Sequence, residues 1–223
     1  MARAKTAKNR EQYYHSQMEA LTACNLAAQA PRMGFSLDEE GRVPVRFFER
    51  DYLVDNQSVA PVDGRPVGLD HFSVIAHYMM SEGEGELSGE FLPISRLTGI
   101  VNTGVSPNDS LIAPLTEKFG DGYSLFAEAA RKIGGVHEGA APSGGQSWLF
   151  TPLPKLPVRI IFFEADEEFE AEVKVLFDSS SCRFVAYECL ELLEMVLVAE
   201  LLNAAGLLGC GGGCGDHGDC SGY

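Results

Sequence analysis

The residues with the most definite chemistry lie in the glycine-rich stretch GCGGGCGDHGDCSGY. There Cys210, Cys214, His217 and Cys220 stand in a Cys-x3-Cys-x2-His-x2-Cys pattern. Three thiolates and one imidazole complete a tetrahedral Zn²⁺ shell. The same set can hold an iron–sulfur cluster, which takes Cys thiolates and in some centres His. The intervening glycines let a short chain wrap an ion without side-chain clashes. Asp216 and Asp219 add negative charge beside it. The competing reading is a flexible, redox-sensitive or disulfide-linked tail. Zinc sites of this kind usually combine two paired knuckles across a structured spacer, and no second knuckle is present.

A second group is acidic. Glu164, Asp166, Glu167 and Glu168 lie in a charged connection, with Asp178 expected across the same hairpin. Clustered carboxylates bind Ca²⁺ or Mg²⁺, or serve as a general acid and base. Such a set would suit a carboxylate-dependent hydrolase or lyase. Glu164 and Asp166 fall on one strand face and are the stronger pair. The plainer reading is a charged turn that keeps an apolar hairpin soluble.

Other residues carry weaker signals. His71 and His77 fall on one helix roughly 240° apart, so they do not face one ligand. His77 reads as a packed, hydrogen-bonded residue beside Tyr78, or as part of a binding site. His137-Glu138 begins like a zincin motif, but Ala141 stands where the second His is needed. Trp148 either lines a pocket for a cofactor ring or anchors the core. No dinucleotide fingerprint, Walker loop or nucleophile elbow occurs. The binding candidates are therefore Glu164, Asp166, Asp178, His77 and Trp148, and no residue is assigned a catalytic role.

Charge narrows the partners. With 17 basic and 32 acidic side chains the formal net charge is −15. Phosphate backbones and anionic membranes repel such a surface, so no nucleic acid and no membrane is expected. No signal segment is visible, and the most apolar stretch, 195–208, is broken by Glu200, Asn203 and Gly206. A cytoplasmic location is expected. Cys24, Cys182 and Cys189 are then read as reduced, small buried side chains.

The elements that must position these residues follow from periodicity. Tyr14, Met18 and Leu21 predict a helix over 11–30 that Pro31 ends. Residues 35–38 and 43–49 read as a hairpin, with 50–56 extending the meander and 60–66 a loop. A helix is predicted over 70–81, capped by Asp70. SEGEGE (81–86) reads as a solvated acidic loop, and 91–94 as a short strand. Helices follow at 109–119 and 123–133, with Gly134-Gly135 as a C-cap and 134–147 as a long loop. VRIIFFE (158–164) reads as a strand covered on both faces, antiparallel to VKVLFD (173–178). A long helix over 186–205 presents Leu190, Leu193, Leu197 and Leu201 inward and Glu188, Glu191 and Glu194 to solvent.

This order predicts an α+β fold with a mostly antiparallel sheet and packed helices. Residues 10–205 form one domain, 1–9 a frayed basic start and 206–223 a flexible Cys/Gly-rich tail. The chain of 223 residues suits that size. Strand 158–163 and the last helix also offer surfaces for a homodimer.

Three phrases together resemble a family of bacterial and archaeal proteins known as domain of unknown function 3786. They are HYMMSEGEGELSGEFLPISRLTG (77–99), IAPLTEKFGD (112–121) and LPKLPVRIIFFEADEEFEAEVKVLFDSSS (153–181). The resemblance covers roughly residues 10–200. The chain departs from it at Phe163-Glu164-Ala165-Asp166, where the family commonly has Trp-Glu-Gly-Asp, and beyond residue 205. The family carries no established catalytic residues, so the resemblance assigns none. It implies an iron–sulfur segment beside the domain in some relatives. With no nucleophile, base and orienter set in view, the expected role is a non-catalytic accessory module that binds a cofactor or partner. A metal or iron–sulfur protein is the alternative.

Overall fold

The computed structural model describes residues 2–97, 107–120 and 122–208. The architecture is α+β, and the described residues form two antiparallel sheets and seven α-helices. The chain opens with Ala2–Ala23 (α1) and Leu26–Arg32 (α2). Sheet 1 follows as Val43–Phe47 (β1), Arg50–Val54 (β2) and Val59–Pro61 (β3), then Leu69–Met79 (α3). Next come Phe91–Leu92 (β4), Ile94–Leu97 (α4), Pro107–Phe119 (α5) and Tyr123–Lys132 (α6). Val136–Ala140 (β5), Gln146–Leu153 (β6), Leu156–Phe163 (β7) and Glu172–Asp178 (β8) lead to Tyr187–Ala204 (α7). Sheet 2 has the order β4-β8-β7-β6-β5.

The β7–β8 hairpin is the centre of the molecule, as the apolar run predicts. Val158 pairs with Phe177 and Phe163 with Glu172. Val158, Ile160 and Phe162 are fully buried. Against them pack Phe126 of α6, 4.9 Å from Phe162 between ring centroids, and Phe119 of α5, 5.6 Å from Phe126. Helix α7 buries Leu190, Leu193, Leu197 and Leu201 completely.

Several local expectations are corrected. The predicted helix 11–30 is two helices, because Asn25 caps α2 by accepting a hydrogen bond from the Ala28 amide at 3.2 Å. Residues 35–38 form no strand, and β1 pairs instead with β2 across a two-residue turn. That turn places Phe48 at φ 51°, a left-handed conformation tolerated because its ring packs on Phe47 at 4.8 Å. Asp70 lies in the first turn of α3 behind the cap, Gly68. The expected loop 134–147 contains β5 and the start of β6. Glu194 is 2% exposed, so the acidic stripe of α7 is not wholly solvated.

Two helix ends follow the expected glycine chemistry. After α6, Gly134 at φ 85° lets the Gly135 amide reach the Ala130 carbonyl at 2.8 Å. After α7, Gly206 at φ 71° lets the Leu207 amide reach Leu202 at 2.8 Å. Both are Schellman closures that only a residue tolerant of positive φ makes easily.

Candidate functional site

The loop following α3, residues 81–87, lies between two hollows of about 460 and 420 Å³ that share Gly83. A solvated acidic loop was expected here, but its first half is pinned. A Cβ on Gly83 would lie 2.2 Å from the Arg183 carbonyl oxygen, so only glycine permits this close approach. The Gly83 amide also donates to Ser81 Oγ at 3.0 Å.

His77, Ser81, Cys182 and Arg183 line the smaller hollow. The Tyr13 hydroxyl and the Gln17 carboxamide nitrogen stand 3.0 and 2.8 Å from His77 Nε2. Burial pushes the His77 pKa down, against an opposing pull from Glu188. The imidazole is therefore neutral at pH 7, and Nε2 serves as an acceptor. Gln17 is 4% exposed, yet its Oε1 has no partner. Ser181, beside Cys182, is fully buried with an unpartnered hydroxyl. These are the two buried side-chain polar atoms left unsatisfied among the described residues; Gln17 is hydrogen-bonded to the lining residue His77, and Ser181 precedes the lining residue Cys182 in the chain. Burial raises the Cys182 thiol pKa, which keeps it protonated and a poor nucleophile.

Arg32 and Lys155 reach the larger hollow from α2 and from the β6–β7 turn. Tyr78, fully buried, fixes that turn. Its hydroxyl donates to the Met33 carbonyl at 2.8 Å and accepts from the Lys155 amide at 2.8 Å.

The carboxylates proposed from the sequence do not meet. Glu164 and Asp166 are exposed at the β7–β8 tip, where Asp166 Oδ1 accepts from the Glu168 and Phe169 amides at 2.8 Å. Asp178 ends β8 six residues beyond Glu172, on the order of 20 Å away along the strand. It is fully buried. It accepts from the amides of Ser88, Gly89 and Ser180 and from the hydroxyls of Ser88 and Ser180. Burial alone would raise its pKa, but these donors outweigh it and bring it down to about 2. Asp178 is a clamp that holds the segment 88–90 against the end of β8.

Trp148 is also fully buried. Its ring lies 4.9 Å from that of His137 and its indole N–H donates to Tyr123 Oη at 3.3 Å. Glu138, from the incomplete zincin pattern, instead forms a two-point pair with Arg159 at 2.8 and 3.0 Å. His71 bridges Tyr52 (2.8 Å) and Glu200 (3.1 Å), a hydroxyl–imidazole–carboxylate chain. Tyr52 is 1% exposed, so the chain ties β2 and α3 to α7 within the core.

Among the described residues, no three His, Cys, Asp or Glu side chains converge on a metal position. Cys210, Cys214, His217 and Cys220 lie outside the described residues. Cys189 is buried as expected, whereas Cys24 is half-buried and Cys182 exposed. No helix among the described residues is long and apolar enough to cross a membrane. Sequence reasoning missed Gln17, which the fold brings to His77, and Arg32 and Lys155, which it brings to the loop 81–87. The alternating glycines of SEGEGE were the one available signal.

Fold and hollows together define an α+β domain built around a central antiparallel hairpin, with a recessed loop as its candidate site. Residues 25–200 match the family described as Domain of unknown function (DUF3786), and the chain belongs to that family. No curated protein and no solved structure matches the chain.

Proposed function

We propose that the domain is a non-catalytic accessory module that binds a cofactor-sized ligand in the hollow beside His77. One observation carries this reading: the two unsatisfied buried polar atoms among the described residues, Gln17 Oε1 and Ser181 Oγ, belong to side chains directly behind the lining, Gln17 bonded to His77 and Ser181 next in the chain to Cys182. Native interiors rarely leave such atoms unpaired, so two of them behind lining residues support a polar group supplied from outside. A volume of about 420 Å³ also falls within the usual range for small-molecule sites. The neutral imidazole of His77 offers a polar contact without the charge that would select one ion. Native mass spectrometry of anaerobically purified protein tests this. A stoichiometric bound mass that disappears in a folded His77→Ala variant is expected. A parent protein that shows only its bare polypeptide mass would overturn the reading.

A second reading is supported by the Cys210, Cys214, His217, Cys220 spacing: a zinc or iron–sulfur centre appended to the domain. Elemental analysis with a visible spectrum distinguishes the two metals. About one metal centre per chain, lost in Cys214→Ser, is expected. Metal-free, colourless protein would end this reading.

A further inference from the structure

The larger hollow holds an arrangement that the His77 reading does not use. Its walls bring two cations together from separate elements, in a chain whose acidic groups outnumber its basic ones by 32 to 17. Arg32 stands in the last turn of α2, and Lys155 in the β6–β7 turn. We propose that this hollow is an oxyanion-binding site for a small ligand bearing two carboxylate or phosphate groups, with Glu84 and Glu86 of the chain's own loop occupying the two cations.

Three observations carry it. The cations are positioned in advance. The Lys155 amide is held by Tyr78, its side chain is 17% exposed, and its ammonium lies 6.0 Å from the Phe184 ring centroid. Arg32 is oriented by Gln29 Oε1 at 3.3 Å and by the Glu82 carbonyl at 2.7 Å.

The counter-charges, by contrast, are loosely placed. Glu84 meets Arg32 at 2.8 Å and Glu86 meets Lys155 at 3.0 Å, yet these carboxylates are 79% and 90% exposed. Pairs to such solvated acids contribute little and are easily exchanged. Their backbone is glycine-spaced, with Gly85 at φ 104° and its carbonyl 3.3 Å from Lys155 Nζ. A swing of either glutamate into solvent therefore bares a cation without unfolding an element.

Finally, the two cations are addressed by two separate carboxylates on one short loop. That pattern matches a ligand with two oxyanionic groups better than a single ion. The volume of about 460 Å³ suits a small molecule, and the net charge disfavours a large polyanion.

Calorimetric titration of the full chain with pyrophosphate, and separately with succinate, tests the proposal. Binding of at least one probe is expected, weakening as salt is raised. The double variant Glu84→Gln, Glu86→Gln should bind about tenfold more tightly, because the internal competitors are removed. Lys155→Met should weaken binding about tenfold or more. If circular dichroism shows that variant unfolded, Arg32→Gln at the more exposed position replaces it. Preference for pyrophosphate or for succinate identifies the ligand source. Failure of both probes to bind the double glutamine variant overturns the proposal, as does unchanged affinity in the folded cation variant. His77→Ala should bind both probes normally, so this test fails or succeeds independently of the His77 reading.

Discussion

At the scale of single residues, the chain uses its chemically striking side chains mostly to tie segments together. Asp178 is the clearest case. It was read as a possible site carboxylate because acids cluster nearby in sequence. The fold instead surrounds it with five donors from residues 88–89 and 180. Its folded pKa of about 2 lies below the ordinary 3.8. A depressed carboxyl pKa contributes stability that is complete above the unfolded value and lost as pH falls through the folded one. The window is therefore about pH 4 down to 2, and the contribution is about 2 kcal/mol. Asp178→Asn should be less stable than the parent by about that amount at pH 7, and the gap should close by pH 2. Denaturant melts of both proteins across this range check it; a gap independent of pH would remove the clamp.

At the scale of elements, legibility tracked how local the physical cause was. The hairpin of β7 and β8 and the buried face of α7 were readable because apolar periodicity reports burial directly. Strand β5 was not, since VHEGA is largely exposed and surrounded by glycine, serine and proline. It is a strand because β6 offers an edge to pair with, His137 to Trp148. The loop 81–87 was misjudged for a similar reason. Its composition is that of a solvated segment, but contact of Gly83 with the backbone at 183–184 presses it onto the domain. Gly83→Ala should leave sheet 2 intact and cost about 1–3 kcal/mol through steric crowding. Hydrogen exchange should quicken at residues 81–87 and 182–185 while β7 stays protected. Unchanged exchange in the loop would show that the close approach is not needed.

At the scale of the molecule, a single core joins both sheets and the described helices, while the Cys/His pattern begins beyond the last described residue, Leu208. Helix α7 is already closed at Gly206, and its fully buried leucines all precede that point. On the second reading, Cys210, Cys214, His217 and Cys220 would hold a metal with residues that follow this closure in the chain. Cys214→Ser is expected to lose metal without moving the unfolding midpoint. A large drop in that midpoint would mean that the centre supports the core.

Sequence alone determined the α+β class, the central antiparallel hairpin, the inward leucines of the last helix and the family. All of these rest on periodicity or on residues close in the chain. Tertiary structure alone decided that Asp178 is separated from Glu164 and Asp166. It also decided that Gln17 backs His77, and that Arg32 and Lys155 share a hollow. Their chain separations run from 12 residues to 123, and only the packing of helices against sheet decides which of them meet.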